Sequence, residues 1–354
     1  MIENPRLRAF HALCLARFRE FYREPEVVFW GFVFPLLLAM ALGLAFRNRP
    51  PETVRVMVVE GPDAGAGRTS AETLRALESS PLLEAEAGTE EEAARALRLG
   101  KVDVVVAPEA PGVVYRLDPS RPEALVARAR VDDALQRAAG RSDPLATREE
   151  AVTEPGGRYI DFLIPGIIGM NLMSAGMWGM GFVLVDMRIK KLLKRLLATP
   201  LRRADFLLAQ MTTRAVLTFA EVAFVLLFAR LAFRVPVRGS VWAVLAVGIL
   251  GALSFSGLGL LVASRASRIE SVTGLMNLVM VPMFIASGVF FSADRFPDAL
   301  QPLVRALPLT ALNDALRAVV LEGATLASQS SRLLLLGIWG GVSFLLGLRL
   351  FRWS

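Results

Sequence analysis

The stretch RIKKLLKRLLATPLRRADFLLAQ, Arg188 to Gln210, carries three of the chain's four lysines and four of its arginines. A long apolar run lies on either side of it, Tyr159–Val185 before and Leu208–Leu231 after. About 20 mainly apolar residues are what a helix needs to cross the hydrocarbon core of a bilayer. Four more such runs occupy Val27–Phe46, Val241–Ala263, Val272–Phe291 and Leu333–Leu350. The pattern predicts a polytopic α-helical membrane protein with six spans and puts the basic stretch in the loop joining spans 2 and 3.

Composition points the same way. Of the 354 residues 54% are hydrophobic, and the mean hydropathy is +0.48, whereas ordinary globular domains hold roughly 45–50% apolar residues even with glycine counted. The first run begins too far from Met1 and is too long for a signal peptide. No small-x-small site precedes Arg47, so the run is expected to stay as an anchor. A single cysteine, Cys14, excludes an intrachain disulfide framework.

The net charge of +7 hides a division. Residues 47–157 hold 15 Lys/Arg against 20 Asp/Glu, a net of −5, and the remainder holds 25 against 13, a net of +12. Those basic residues gather at span ends, which is the pattern of cytoplasmic loops rather than of a nucleic-acid footprint. Arg6, Arg8, Arg17, Arg19 and Arg23, the block at 188–203, Arg265 and Arg268, and Arg349 and Arg352 all fall on one side of a six-span chain. Both termini are therefore expected in the cytoplasm. Arg230, Arg234 and Arg238 fall on the other side, where they are outnumbered by the 188–203 block.

This topology divides the chain. In residues 1–26, Leu7, Phe10, Cys14, Phe18 and Phe21 recur at three- and four-residue spacing, which predicts an amphipathic helix along the inner membrane surface with its arginines on the other face. Residues 27–46 form span 1. Residues 47–157 are predicted to fold as a small extracytoplasmic α/β domain. In it VRVMVVEG (54–61), VDVVVAPE (102–109) and GVVYRLD (112–118) read as strands. TSAETLRALES (69–79), TEEEAARALRLG (89–100) and RPEALVARARVDDALQRAAG (121–140) read as helices. Thr89 and Glu92 make a capping box, and Gly100 and Gly140 end the second and third helices. Arg141–Gly157 is a linker, and residues 158–354 carry spans 2–6. Within 292–331, Pro297, Pro302 and Pro308 interrupt a half-apolar segment, which predicts two short amphipathic helices dipping into the outer leaflet.

Enzyme chemistry finds little to stand on. The chain has one histidine, His11, and one cysteine, whereas a catalytic zinc site usually takes three protein ligands. GAGRTS (Gly65–Ser70) lacks the lysine of a phosphate-binding loop and reads as a turn. The chain is expected to bind no metal or cofactor and no nucleic acid, so any driving force must come from elsewhere.

Within the spans, Pro35, Pro165 and Pro282 predict kinks. The Gly- and Met-rich FLIPGIIGMNLMSAGMWGMGFVLV of span 2 suits either a path for varied amphiphiles or close helix packing. Gly337 and Gly341 form a G-x-x-x-G that points to helix packing. Glu221, deep in span 3, lies seven residues from Arg214 on one helical face, which suits an internal pair or a transport role. In the basic stretch, Leu192, Leu193, Leu196 and Leu197 interleave with Lys190, Lys191, Lys194 and Arg195 to give an amphipathic helix stopped at Pro200. It can touch lipid headgroups or pass movement from a soluble partner.

LLKRLLATPLRRADFLLAQ (Leu192–Gln210) closely resembles the loop between spans 2 and 3 in type-2 ABC exporter permeases, the ABC-2 family. SGVFFSADRFPDALQPLVRALPLTALNDALRAVVLEG (Ser287–Gly323) resembles the family's outer segment after span 5, at Ser287-Gly288, Pro297, Pro308-Leu309-Thr310 and Arg317. The order of helix, span, soluble insertion and five spans matches as well. TEEEAARALRLGKVDVVVAPE (89–109) is similar to members with a large extracytoplasmic domain. One departure is Lys191-Leu192, where many members carry Gly-Thr.

The resemblance implies a permease paired with a second permease subunit, identical or paralogous. It also implies two copies of a separate ATP-binding subunit that holds the ATP and Mg. A coupling helix at 188–205 would dock on that subunit through Arg188, Lys190, Lys191, Lys194, Arg195, Thr199, Pro200, Arg202, Arg203 and Asp205. Spans 2 and 5 would face the dimer axis, with Pro165, Met170, Asn171, Met173, Met177, Asn277, Met280 and Phe284 along the translocation path. Pro308, Thr310 and Arg317 would mark the outer re-entrant segment. The implied activity is ATP-driven export of an amphiphilic small molecule or lipid across a bacterial or archaeal cytoplasmic membrane. The competing reading is an ATP-coupled sensor or assembly component that moves its extracytoplasmic domain while nothing crosses.

Overall fold

The computed structural model describes residues 5–46, 53–60, 69–109, 112–145, 156–197 and 203–351. They form two compact units, Asn48–Ala151 and the combination of Met1–Arg47 with Val152–Ser354.

The first unit is a four-stranded sheet with helices on both faces. Its strands are β1 (Val54–Val59), β2 (Leu83–Gly88), β3 (Val104–Glu109) and β4 (Gly112–Arg116), in the order β2-β1-β3-β4. β1 runs parallel to β2 and β3, with Val56 opposite Ala85 and Val104, and β4 is antiparallel to β3. Alternation along the strands sends Val54, Val56, Val58, Val104 and Val106 to one face, against Leu77, Val131 and Leu135 of the helices Ser70–Glu78 and Pro122–Ala138. Val59, Val105 and Ala107 face the other way, against Ala93 and Ala96 of Glu90–Arg98. A mostly parallel sheet needs both faces covered, and these three helices cover them.

The expected Thr89–Glu92 capping box is present, and Thr69–Glu72 makes a second one. β2 was not expected from the sequence: LEAEAG offers no β-branched residue and fills an edge. Burial, then the hydrogen bond that Tyr115 donates to Asp132 at 3.0 Å, pushes the phenol up to about 12. Residues 65–68 of the expected GAGRTS turn and residues 146–155 of the expected linker lie outside the described residues.

In the second unit, six helices among the described residues are long and apolar enough to cross a membrane. They are span 1 (Pro25–Ala45), span 2 (Tyr159–Ile189), span 3 (Asp205–Phe233), span 4 (Val241–Ala263), span 5 (Ile269–Ala286) and span 6 (Ala327–Leu350). Span 4 is central, and small residues let its neighbours come close. A Cβ on Gly259 would sit 2.7 Å from the Met177 carbonyl of span 2, and one on Gly257 2.7 Å from the Gly340 carbonyl of span 6. Ser254 Oγ donates to the Leu336 carbonyl at 2.7 Å.

The expected G-x-x-x-G contact is corrected here. Gly337 and Gly341 have nothing within 4 Å of a Cβ, and the tight glycines of span 6 are Gly340, which meets Ser254, and Gly347, which meets Leu260. One residue along a helix is a turn of about 100°, which carries the motif off the packed face.

The helices continue through Pro35, Pro165 and Pro282, and single π-turns occur at Phe29–Val33 and Trp178–Phe182. The N-terminal helix Pro5–Arg23 lies along the start of span 3, with Cys14 Sγ 3.7 Å from the Ala209 carbonyl. The expectation that its arginines face away fails at Arg17. Arg17 turns inward, its guanidinium 5.7 Å from the Phe206 ring and in contact with Met187 Sδ at 2.7 Å. A long arginine stem can cover apolar surface and still deliver its head to an acceptor.

The 292–331 segment forms single turns at Ala293–Arg295 and Ala327–Gln329 and two helices, Gln301–Ala306 and Pro308–Glu322. The longer one does not lie shallowly at a surface. Leu309, Leu312, Leu316 and Val319 enter the core that spans 2 and 4 share. The shorter helix does present an apolar face outward, with Leu303 66% exposed.

Changing Gly259 to Leu forces spans 2 and 4 apart at a backbone contact, an overpacking cost of about 1–3 kcal/mol. Gly274→Leu, where nothing lies within 4 Å, is its control. Thermal unfolding in detergent is expected to show a clearly lowered midpoint for Gly259→Leu and an unchanged one for Gly274→Leu.

Candidate functional sites at the two ends of the helix bundle

Span 2 ends at Ile189, and the chain turns through Lys191 in a left-handed conformation (φ +57°) that side chains rarely adopt. The short loop helix Leu192–Leu197 follows. Leu193 is 1% exposed and belongs to a core cluster with Met187, Phe206, Leu207 and Phe351, so among the described residues it pins the helix to spans 2 and 3 and the end of span 6. Lys191, Lys194 and Arg195 are exposed. Lys190 pairs with Asp186 at 2.8 Å, and that hydrogen bond holds its ammonium above the usual lysine range.

Arg188 was expected at a docking surface, and the structure corrects this. Its guanidinium donates to the carbonyls of Ala263 (3.3 Å), Ser264 (3.2 Å) and Ala266, and it stands 4.6 Å over the Phe351 ring. The last carbonyls of a helix have no intrahelical donor. Arg188 supplies one to the end of span 4 and so binds the ends of spans 2, 4 and 6 together.

Of the other expected docking residues, Thr199, Pro200 and Arg202 lie outside the described residues. Arg203 opens the helix that becomes span 3, and its side chain lies outside them. Asp205 is half-buried in that helix's first turn, where a carboxylate suits the helix dipole.

The residues expected along a translocation path do not share one surface. Pro165, Met173 and Met177 are buried, the two methionines in a core that also holds Met280. Met170 and Phe284 are half-buried at its margin, and Asn277 is exposed on span 5.

Asn171 has a different task. Pro35 has no N–H to give the carbonyl four residues before it, that of Gly31. Asn171 Nδ2 donates to the Gly31 carbonyl at 3.0 Å from span 2. The side chain mends a break that proline makes in span 1. A proline inside one span and an amide inside another are the signal from which this partnership is readable.

In span 3, Arg214 and Glu221 do pair, at 2.5 Å, and both are buried. The internal pair is the arrangement present. A Cβ on Gly31 would lie 3.4 Å from Glu221 Oε1, so the pair sits beside the π-turn of span 1.

At the opposite end, Pro308 opens the helix Pro308–Glu322, and Thr310 is 2% exposed. Arg317 Nε donates to the Phe162 carbonyl at 3.3 Å, and its guanidinium lies 3.7 Å over the Phe162 ring. It also reaches the Gly288 carbonyl. Arg317 therefore ties the start of span 2 to the turn after span 5. Asn313 Nδ2 donates to the Ser287 carbonyl at 2.8 Å, and its Oδ1 occupies the space that a Cβ on Gly169 would need. Packing accounts for Gly166, Gly169, Gly176 and Gly181 of span 2, whereas nothing lies within 4 Å of a Cβ on Gly179.

The pattern of the family described as ABC-2 family transporter protein matches residues 25–349. The chain belongs to the ABC-2 transporter family. It is a multi-pass membrane protein of the kind that forms the membrane part of an ABC transporter. Among its relatives, it is 27% identical over 174 residues to ABC transporter G family member 20 of Dictyostelium discoideum, covering 49% of this chain and 24% of that protein. It is 27% identical over 168 residues to Nodulation protein J of Rhizobium meliloti (strain 1021), covering 47% and 63%. It is 23% identical over 163 residues to Probable multidrug ABC transporter permease YbhS of Escherichia coli (strain K12), covering 46% and 43%. The matched part thus spans less than two thirds of each of these relatives.

Replacing Asn171 by Leu leaves a buried carbonyl unpaired at a cost of about 1–3 kcal/mol. In a Pro35→Ala background the restored backbone N–H is expected to remove most of that cost. Unfolding midpoints of the two single variants and the double variant measure the coupling. Equal losses in both backgrounds would show that Asn171 does not stand in for the missing donor.

Proposed function

We propose that this chain is the permease subunit of an ATP-driven exporter, working with a second permease copy or paralogue. Two copies of a separate ATP-binding subunit would hold the ATP and Mg. The observation that carries the reading is the loop helix. Its apolar side is fixed by Leu193 to the core, and its other side presents Lys191, Lys194 and Arg195. A helix built this way receives a push from a soluble partner and hands it to several spans at once. Lys190, held by Asp186, borders the same surface. Arg188 acts behind it as the strap that makes the helix rigid.

In this reading the basic loop end faces the cytoplasm of a bacterial or archaeal cell, with both termini, and the α/β insertion lies outside. Asn277, on the uncovered side of span 5, faces the second copy, and Met170 and Phe284 border that path. The cargo is an amphiphile or lipid. The multidrug designation of the Escherichia coli relative supports this class, as does a path with an amide among apolar side chains. A second reading is favoured by the insertion's own two-faced core: ATP use moves that domain, and nothing crosses.

Affinity purification from native membranes in mild detergent tests the docking. Wild type is expected to bring down an ATP-binding protein that the triple variant Lys191→Glu, Lys194→Glu, Arg195→Glu loses, while the unfolding midpoint of the isolated chain stays unchanged. Retention of that protein by the triple variant would remove the loop helix as the docking site. With the complex in inverted vesicles, ATP-dependent accumulation of a fluorescent amphiphile supports export, and ATP hydrolysis without accumulation supports the second reading.

A further inference from the structure

At the end of the bundle away from the loop helix is a crevice of about 620 Å³, within the usual size of small-ligand sites. Its walls are the starts of spans 2 and 6, the turn Ala293–Arg295 and the helices Gln301–Ala306 and Pro308–Glu322. Its charged lining is balanced: Arg305, Arg317 and Arg332 against Asp294, Asp314 and Glu322. A purely anionic ligand would meet three carboxylates there, and a purely cationic one three guanidinium groups. A ligand carrying both charges, held apart, meets neither penalty.

Two lining side chains have buried polar atoms without a partner, Gln301 Oε1 and Thr310 Oγ1. The orientation of the Gln301 amide is fixed, because its Nε2 donates to the carbonyls of Ala293 (3.0 Å) and Phe296 (2.9 Å). Its Oε1 can only accept, so what it lacks is a donor. Among the arginines, Arg317 is engaged by backbone carbonyls and the Phe162 ring, and Arg332 donates to Gln329 Oε1 at 2.5 Å. Arg305 is exposed and has no ion-pair partner within 4 Å among the described residues. It follows Gln301 by four residues, and side chains at that spacing are neighbours on one helix face, about 5–6 Å apart at Cβ. Asp314, half-buried and 3.9 Å from Arg317, supplies a carboxylate on the facing helix.

We infer that this crevice binds a zwitterionic amine–phosphate headgroup, the phosphate on Arg305 and the ammonium N–H groups on Gln301 Oε1 and Asp314. The need for an N–H donor selects a primary ammonium over a trimethylammonium, which has none. Such a headgroup reaches the crevice on a membrane lipid or as a free solute. The inference deepens the export reading by naming a headgroup class. Binding to the isolated chain needs no ATP-binding partner, so the two stand or fall separately.

The test uses the full chain in phosphatidylglycerol nanodiscs. Phosphatidylethanolamine and phosphatidylcholine are titrated in, and bound lipid is counted by native mass spectrometry. Phosphatidylethanolamine is expected to be retained about tenfold over the other two, the size of one hydrogen bond to a charged group. Gln301→Leu should lower the preference over phosphatidylcholine several-fold, the remainder resting on Asp314. Because Gln301 also holds the neighbouring turn, Arg305→Ala is the second variant. Arg305 makes no side-chain hydrogen bond or ion pair among the described residues, so this change should weaken retention of phosphatidylethanolamine about tenfold at an unchanged unfolding midpoint. Competition by soluble O-phosphoethanolamine would show that the headgroup alone suffices, and its failure, with the preference intact, that the lipid is the ligand. Equal retention of all three lipids, a preference undiminished by Gln301→Leu, or phosphatidylethanolamine retention unchanged by Arg305→Ala, would overturn the proposal.

Discussion

The structure depends on one arginine at the end of span 2. Arg188 leaves its own helix to donate to the carbonyls of Ala263, Ser264 and Ala266 at the end of span 4, and it stacks on Phe351 at the end of span 6. Helix C-terminal carbonyls carry partial negative charge and lack donors, so a guanidinium there satisfies both needs at once. Without this strap, the residues that follow would be a flexible connection between two helices. With it, the loop helix begins from a fixed point, and Leu193 fixes its far side.

A second arginine does the same at the other end. Arg317 bonds the carbonyls of Phe162 and Gly288, joining the start of span 2 to the turn after span 5. Between the two straps, span 2 meets span 4 across glycines, with Gly259 against the Met177 carbonyl, and mends span 1 through Asn171. Span 2 therefore behaves as a rod fastened at both ends and along its length.

Much of this was legible in the sequence. The six apolar runs, the basic loop, the strands of the insertion and the Thr89–Glu92 box each rest on a local signal: period, composition or capping. What escaped rests on pairs distant in the chain. β2 alternates Leu or Ala with Glu and is a strand because β1 lies beside it. Arg188 looked like one more cation in a run of them, and only the position of span 4 separates it from Lys194. Asn171 reads in the sequence as a polar group along a path, because nothing local ties it to Pro35 and the Gly31 carbonyl that this proline leaves without a donor. Gly337 and Gly341 match a packing motif, yet the packed glycines are Gly340 and Gly347, because the face a helix buries is set by its neighbours.

The most direct measurement of the central claim is photocrosslinking in native membranes from a photoreactive amino acid at position 194, with position 137 of the insertion as the reference. The account predicts one dominant protein adduct from position 194, to a nucleotide-binding polypeptide, and none to that polypeptide from position 137. Adducts from position 194 to lipid alone would contradict it and leave the loop helix as a headgroup anchor.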